Sequence, residues 1–157
     1  MNPDAIFEFC SMAALAGWLA LLASPLAPKI ADQISALVVP LLLAVGYTGL
    51  ILAFWTRAEG GFDNLTDVMR LFTSPEIALA GWIHYLAFDL FVGAWQARTA
   101  RAERIPFVIV VPCLSLTFLF GPTGYFAFTC LRAARAMNSR PLRHPLDSHT
   151  PGGAGGR

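Results

Sequence analysis

Four long apolar runs, separated by shorter polar segments, dominate the pattern of hydrophobic and polar positions along the chain. Their approximate bounds are Ile6–Ala23, Ile34–Trp55, Ile77–Trp95 and Ile105–Leu131. A helix needs roughly 20 apolar residues to cross the hydrocarbon core of a bilayer. The pattern therefore predicts an all-α membrane protein, a bundle of four transmembrane helices in one domain over residues 1–135. The predicted helices are 5–24, 34–56, 75–97 and 105–132.

The segments outside the runs have patterns of their own. Within residues 56–74, five apolar side chains recur at helical spacing, which favours a short amphipathic helix on the membrane surface. Ser74, Pro75 and Glu76 have the order of an N-cap, a first helical position and an acidic first turn. After Arg135 no apolar period remains, and a disordered tail is predicted over residues 136–157.

Composition agrees with a membrane protein and excludes one class of partner. Hydrophobic residues make up 56% of the chain and charged residues only 13%, whereas about 25% of an ordinary soluble domain is charged. The net charge is +1, and no basic patch is interleaved with aromatic residues, so nucleic acid is excluded as a partner. Cys10, Cys113 and Cys130 lie in apolar runs without the spacing of a metal or redox pair.

The first run is predicted to be a retained helix. Its start, MNPDAIFE, is acidic where a signal peptide has Lys or Arg, and a bacterial inner membrane is the simplest location.

With four spans, both termini and the middle loop share one side of the membrane. That side holds Arg57, Arg70 and the five arginines after residue 131, against four basic residues opposite. Because basic residues favour the cytoplasm, both termini are predicted to be cytoplasmic.

Two parts of the chain match each other. ALAGWLALLA at 14–23 and ALAGWIHYLA at 78–87 share seven of ten positions, and VVPLLL at 38–43 corresponds to VVPCLS at 110–115. Two parallel copies of a helix pair are one interpretation, and the abundance of alanine and leucine in membrane helices is the other. In this alignment His84 corresponds to Ala20 and Asp89 to Pro25, so only the second copy carries these polar residues.

The third run differs from the others because His84 and Asp89 lie inside it. A charge near the bilayer centre costs about 2.5–3.5 kcal/mol on insertion scales, so we expect both side chains to face the bundle interior. At about 100° per residue they lie about 140° apart around the helix. This separation favours two sides of a slot over a direct contact. The far wall of the slot is expected to be the fourth run, which Gly121 and Pro122 break.

Three other interpretations of these residues remain open. His84 and Asp89 could simply be satisfied by neighbouring Tyr, Ser or Thr side chains, and Glu76 could only complement the start of its helix. Glu76, His84 and Asp89 together could also form a non-haem iron triad. They provide too few imidazoles for zinc, and their spacing is not the Glu-x-x-His of di-iron bundles. The prediction is that no metal is bound.

The order PE…AGWIHYLAFDLFVGAW followed by VPCLSLTFLFGPTGYF resembles the abscisic acid-deficient four-like family of membrane proteins. The resemblance runs from about Leu15 to Leu131 and suggests a bacterial member. Plant members of the family are needed to make the carotenoid neoxanthin in plastids. The positions that the resemblance carries over are Pro75, Glu76, Gly81, Trp82, His84, Tyr85, Asp89, Gly93, Trp95, Pro112, Gly121, Pro122 and Gly124.

The resemblance implies a role in carotenoid or isoprenoid metabolism. Neoxanthin forms from violaxanthin by isomerisation, in which an epoxide opens and a proton leaves, so no redox cofactor is expected. This step needs an acid and a base. The resemblance implies Asp89 as the acid, His84 as the base and Glu76 as a further catalytic candidate. The residues expected to bind the polyene are Trp82, Tyr85, Phe88, Phe91, Trp95, Gly121 and Pro122.

Two further functions compete with the isomerase. The protein could bind a carotenoid or another lipid without catalysis, as a homo-oligomer or as the partner of a pigment enzyme, with His84 and Asp89 as polar anchors. It could also be a small transporter in which the same two residues relay protons. In each case the expected surroundings are the lipid bilayer and a hydrophobic ligand or substrate.

Overall fold

Residues 2–138 are described by the structure, a computed structural model, and nearly all of them are helical. The helices are α1 (Pro3–Leu22), α2 (Pro28–Gln33), α3 (Val39–Phe54), α4 (Leu65–Leu71), α5 (Pro75–Ala102), α6 (Phe107–Phe120) and α7 (Pro122–Asn138). The all-α class predicted from the apolar pattern is confirmed. Residues 136–138 of the predicted tail are part of α7, and from residue 139 onward the tail lies outside the described residues.

Three continuous helices are long and apolar enough to cross a bilayer: α1, the helix Pro28–Arg57 that contains α2 and α3, and α5. By contrast, α6 has only 14 residues. At 1.5 Å per residue it is about 21 Å long, shorter than the roughly 30 Å of a hydrocarbon core. Four full-length spans are therefore not found in the part of the chain that the structure describes.

The helix Pro28–Arg57 passes Pro40 without a break because its geometry widens just before it. A π-helical segment, Ile34–Val38, joins α2 to α3, and the Val39 N–H donates to the carbonyl of Ile34, five residues back. Inserting a residue in this way accommodates local strain within an otherwise continuous helix.

At Gly121 the chain reverses direction between α6 and α7. Gly121 has φ 32° and ψ −88°, a conformation that residues with a Cβ rarely adopt. Pro122 follows as the first residue of α7, a position whose N–H has no acceptor within that helix. The sequence correctly marked a break here, but the single helix predicted over 105–132 is wrong.

Contacts along α7 show that it returns beside α6. Gly124 packs directly on Thr117 of α6. Near the other end of α7, Arg132 forms an ion pair with Glu103, which precedes α6. The two helices are thus a hairpin that enters and leaves the bundle from one end. We call residues 118–124 the hairpin tip.

The central helix is α5, which contacts α1, α3, α6 and α7. Over its most apolar window 56% of the residues are buried, against 28% for α1 and 17% for Pro28–Arg57. Close approach to α1 depends on two glycines: a Cβ on Gly17 would lie 2.5 Å from Leu90, and one on Gly93 would lie 2.6 Å from Trp18. The helix that carries the predicted site therefore has the most protein around it.

Candidate functional site

Asp89 lies half-way along α5 and faces the hairpin tip. Its side chain is only 8% exposed, and Oδ2 is buried without a hydrogen-bond partner among residues 2–138. The Gly121 backbone lies against the carboxyl, since a Cβ built on Gly121 would be 2.4 Å from Oδ1. An unpaired buried polar atom costs free energy. Its presence at the centre of the bundle favours a functional group over a packing residue.

Tyr85 connects this carboxyl with the backbone of the hairpin tip. Pro122 has no N–H, so the carbonyl of Phe118 lacks the donor that a helix would provide four residues later. The Tyr85 hydroxyl donates to that carbonyl at 3.1 Å. The same hydroxyl also interacts with the Asp89 carboxyl. Tyr85 therefore compensates for the proline and helps to fix Asp89 relative to the tip.

A buried amide lies further along the same face of α5. Gln96 is fully buried, and its Nε2 donates to Thr117 Oγ1 at 2.9 Å. The Thr117 hydroxyl is 2.9 Å from the carbonyl of Cys113, to which it can donate in turn. The bond between Gln96 and Thr117 holds α6 to α5 at the point where Gly124 of α7 also packs.

Sequence reasoning missed Gln96, although a signal for it exists. Tyr85, Asp89 and Gln96 are separated by four and seven residues, which keeps them within about 40° of one another around a helix at 100° per residue. The sequence pattern predicts that the third helix ends at residue 97, and a polar side chain is ordinary at a helix end. The structure continues α5 to Ala102, which places Gln96 inside the helix and makes it part of a polar stripe.

His84 does not lie on this stripe. It is exposed at the α3 side of α5, with ring-centroid distances of 5.8 Å to Tyr47 of α3 and 4.6 Å to Phe88. The expectation that both polar residues face the bundle interior holds for Asp89 only. The 140° offset turns the imidazole toward the α3 edge, so the structure does not bring His84 and Asp89 together.

Glu76 also lies apart from Asp89. It accepts a hydrogen bond from the Ser74 hydroxyl at 3.1 Å, in the first turn of α5. Ser74 is the N-cap residue, as predicted, but its side chain bonds to Glu76 instead of a backbone N–H. Thirteen residues separate Glu76 from Asp89, about 20 Å along the helix. Within residues 2–138, no three His, Cys, Asp or Glu side chains come together as a metal site.

The aromatic residues expected to bind a polyene face three directions. Trp82 faces α1, where its Nε1 donates to Ser11 Oγ at 3.1 Å. Phe88 and Phe91 line a groove of about 340 Å³ between α3 and α5. Trp95 faces α7 and contacts the ring of Phe128 at 5.5 Å. Only Tyr85, Gly121 and Pro122 of the predicted set are at the tip with Asp89.

A second apolar groove leads toward the hairpin tip. It lies between α1 and α6 and has a volume of about 340 Å³. We call it the α1–α6 groove, and its lining residues are Leu15, Trp18, Leu19, Leu22, Leu114, Ser115, Phe118 and Leu119. One of these lining residues, Phe118, belongs to the hairpin tip, and its carbonyl accepts the hydrogen bond from Tyr85.

Comparison with known proteins identifies the family. The family model described as ABA DEFICIENT 4-like matches residues 5–128. The chain belongs to the ABA DEFICIENT 4-like family. No curated protein and no solved structure matches it.

Membership in the ABA DEFICIENT 4-like family confirms the resemblance seen in the two sequence motifs. It connects the chain with carotenoid- and neoxanthin-related roles and, by itself, names no reaction. The matched residues include the polar stripe of α5 and the whole hairpin tip.

Proposed function

We propose that this chain is an integral membrane protein that binds an epoxy-carotenoid and isomerises its epoxide end group at Asp89. The observation that carries the proposal is the buried carboxyl at the hairpin tip, whose Oδ2 has no partner among the described residues. Family membership supports the substrate class. The α1–α6 groove supports a path by which a polyene could approach the tip from the bilayer.

Asp89 alone can supply both proton transfers of this isomerisation. In its protonated form the carboxyl donates a proton to the epoxide oxygen as the C–O bond breaks. The resulting carboxylate then removes a proton from the neighbouring carbon chain as the allene forms, which restores the acid. One proton is given and one is taken, and no electrons are exchanged. Tyr85 is proposed as a positioning residue, through its contacts with Asp89 and Phe118.

His84 has no part in this mechanism because it faces α3. The proposal therefore differs from an acid–base pair of Asp89 and His84, and the two can be separated by experiment. Purified protein in detergent is incubated with violaxanthin, and the products are separated by chromatography. We expect Asp89→Asn to lower the rate by at least about 100-fold, with an unchanged melting temperature. His84→Ala is expected to keep most of the activity.

The proposal fails if Asp89→Asn retains full activity. Loss of activity in both Asp89→Asn and His84→Ala, with both variants folded, would favour the acid–base pair.

A second candidate function is non-catalytic carotenoid binding, which the two lipid-facing apolar grooves favour. A polyene absorption band that copurifies with the protein, without any conversion of violaxanthin, would select that function.

We also propose a membrane topology of three spans and one re-entrant hairpin. In this topology the N-terminus and α4 lie at one end of the bundle, the acidic end. The turn after α1, the α5–α6 loop and the end of α7 lie at the other, the basic end. Among residues 2–138 the acidic end has two basic residues, Arg57 and Arg70, and the basic end has Lys29, Arg98, Arg101, Arg104, Arg132 and Arg135.

Positive residues favour the cytoplasmic side, so we place the basic end in the cytoplasm and the N-terminus outside. This orientation differs from the prediction of two cytoplasmic termini, which assumed four spans. Single cysteines at positions 59 and 98, in a chain without its native cysteines, test it in bacterial cells. A membrane-impermeant maleimide should label position 59 in intact cells and position 98 only after permeabilisation. Labelling of both positions in intact cells would contradict this topology.

A further inference from the structure

A separate cavity lies at the basic end, in addition to the two apolar grooves and far from Asp89. It has a volume of about 350 Å³ and is formed by the turn after α1 and the α5–α6 loop. We call it the basic cleft, and its lining residues are Ser24, Pro25, Arg101, Arg104, Ile105, Pro106 and Phe107. The isomerisation proposed above uses none of these residues.

Two buried polar groups of the basic cleft lack partners. Ser24 is 1% exposed, and its Oγ has no hydrogen-bond partner among residues 2–138. Arg101 Nη1 is also buried and unpaired, although Nη2 donates to both Asp32 oxygens at 2.6 and 2.5 Å. Buried polar groups in native proteins nearly always have partners. Two unpaired donors that line one cleft indicate an acceptor that binds there.

Arg104 adds a positive charge at the rim of the basic cleft. Its φ is 54°, and no other non-glycine residue among 2–138 has a positive φ. Such a conformation persists where the surrounding structure enforces it, often at binding sites. Arg104 has no carboxylate partner in the described part of the chain, whereas Asp32 neutralises Arg101 and neighbouring Glu103 is paired with Arg132. The cleft therefore has a net positive charge.

We propose that the basic cleft binds the phosphate of an anionic membrane lipid. Ser24 Oγ and Arg101 Nη1, both buried in its wall, donate after small side-chain rotations that expose them, and Arg104 donates from the rim. The apolar side of the cleft, Ile105 to Phe107, lies where the α1 and α5 spans end, at the level of the headgroups. Basic pockets at that depth, beside apolar surface, suit lipid phosphates.

Lipid binding to the purified, delipidated full chain tests this assignment by native mass spectrometry. The probes are phosphatidylglycerol, phosphatidylcholine and inorganic phosphate, of which phosphatidylglycerol is expected to bind tightest. Arg104→Gln should weaken phosphatidylglycerol binding about tenfold and Ser24→Ala about threefold. Arg98→Gln removes the same charge from an exposed residue of α5 outside the cleft, and its affinity should stay within about twofold.

Two results would overturn the lipid site. Equal weakening by Arg98→Gln and Arg104→Gln would mean that general electrostatic attraction, and no defined cleft, binds the lipid. Inorganic phosphate that binds as tightly as phosphatidylglycerol would mean a site for a soluble anion. Ser24→Ala should melt at the wild-type temperature or above without lipid, because it removes an unpaired buried hydroxyl. Asp89→Asn should bind the lipid normally, which separates this test from that of the isomerase.

Discussion

The second and fourth apolar runs have similar compositions and the same Val-Val-Pro segment, yet they fold differently. The second run becomes part of one helix, Pro28–Arg57, which accommodates Pro40 through a π-helical segment. The fourth becomes a hairpin that reverses at Gly121. Both runs contain a proline and glycines, so these residue types alone do not decide whether the helix continues.

The difference lies in the atoms that surround the glycines of each run. A Cβ added at Gly46 or Gly49 of α3 would have no atom within 4 Å. At the hairpin tip, Gly121 is against Asp89 and Gly124 is against Thr117. The reversal also exposes the carbonyl of Phe118, which the Tyr85 hydroxyl of α5 satisfies. Gly46 and Gly49 of α3 contact no side chain of α5, and the helix continues through them.

The largest effect is expected from a methyl group placed inside the hairpin. In Gly124→Ala the new Cβ would lie 2.2 Å from the backbone nitrogen of Thr117 and 2.5 Å from its Cα. Because backbone atoms would have to move, we expect a loss of about 3 kcal/mol in the free energy of unfolding. Thermal unfolding in detergent measures it.

The matched control is Gly49→Ala, in the continuous helix. No atom lies within 4 Å of its new Cβ, and alanine favours a helix over glycine by about 1 kcal/mol. The two alanine substitutions should therefore change the melting temperature in opposite directions. A similar small change in both would mean that α7 does not pack closely on α6.

Sequence patterns predicted the parts of this fold that depend on local preference. Apolar length located α1 and α5, and the order of Ser74 and Pro75 located the start of α5. The break at Gly121 was predicted as well, but the direction of the chain after it was not. That direction depends on contacts between distant residues, such as Gly124 with Thr117.

The same limit applies to the candidate site. Periodicity correctly separated His84 from Asp89 around α5, since the angle follows from helix geometry. It could not show which neighbour each residue faces. His84 faces α3 and Asp89 faces the hairpin tip because of how the helices assemble, and a single sequence contains that information only indirectly.

A smaller effect is expected from the hydroxyl that compensates for Pro122. Tyr85→Phe removes the donor to the Phe118 carbonyl, which has no helical donor of its own. We expect a loss of about 1 kcal/mol in the free energy of unfolding, since a single hydrogen bond in a protein is worth about that much. It should also slow violaxanthin conversion if Tyr85 positions Asp89.

Tyr47→Phe is the control for that change. Tyr47 lies on the continuous helix and packs on His84, with no hydrogen bond from its hydroxyl among residues 2–138. Its melting temperature should stay at the wild-type value. If the two tyrosine variants lose equal stability, the bond to Phe118 does not support the hairpin tip.

The smallest effect is expected at the open end of the hairpin, where Arg132 of α7 pairs with Glu103. The hydrogen bonds from Arg132 lower the pKa of the Glu103 carboxyl from its ordinary value of 4.5. Since the folded pKa is the lower one, the pair stabilises the protein above pH 4.5, and this contribution is lost as the pH falls through the folded pKa. Exposed ion pairs contribute little, so only a small change in melting temperature is expected.

Glu103→Gln should melt slightly below wild type at pH 7, and the difference should vanish in acid. Glu59→Gln, at an exposed residue outside both ion pairs, should show no such convergence; if it does, the acid dependence comes from net charge and not from the docking of α7.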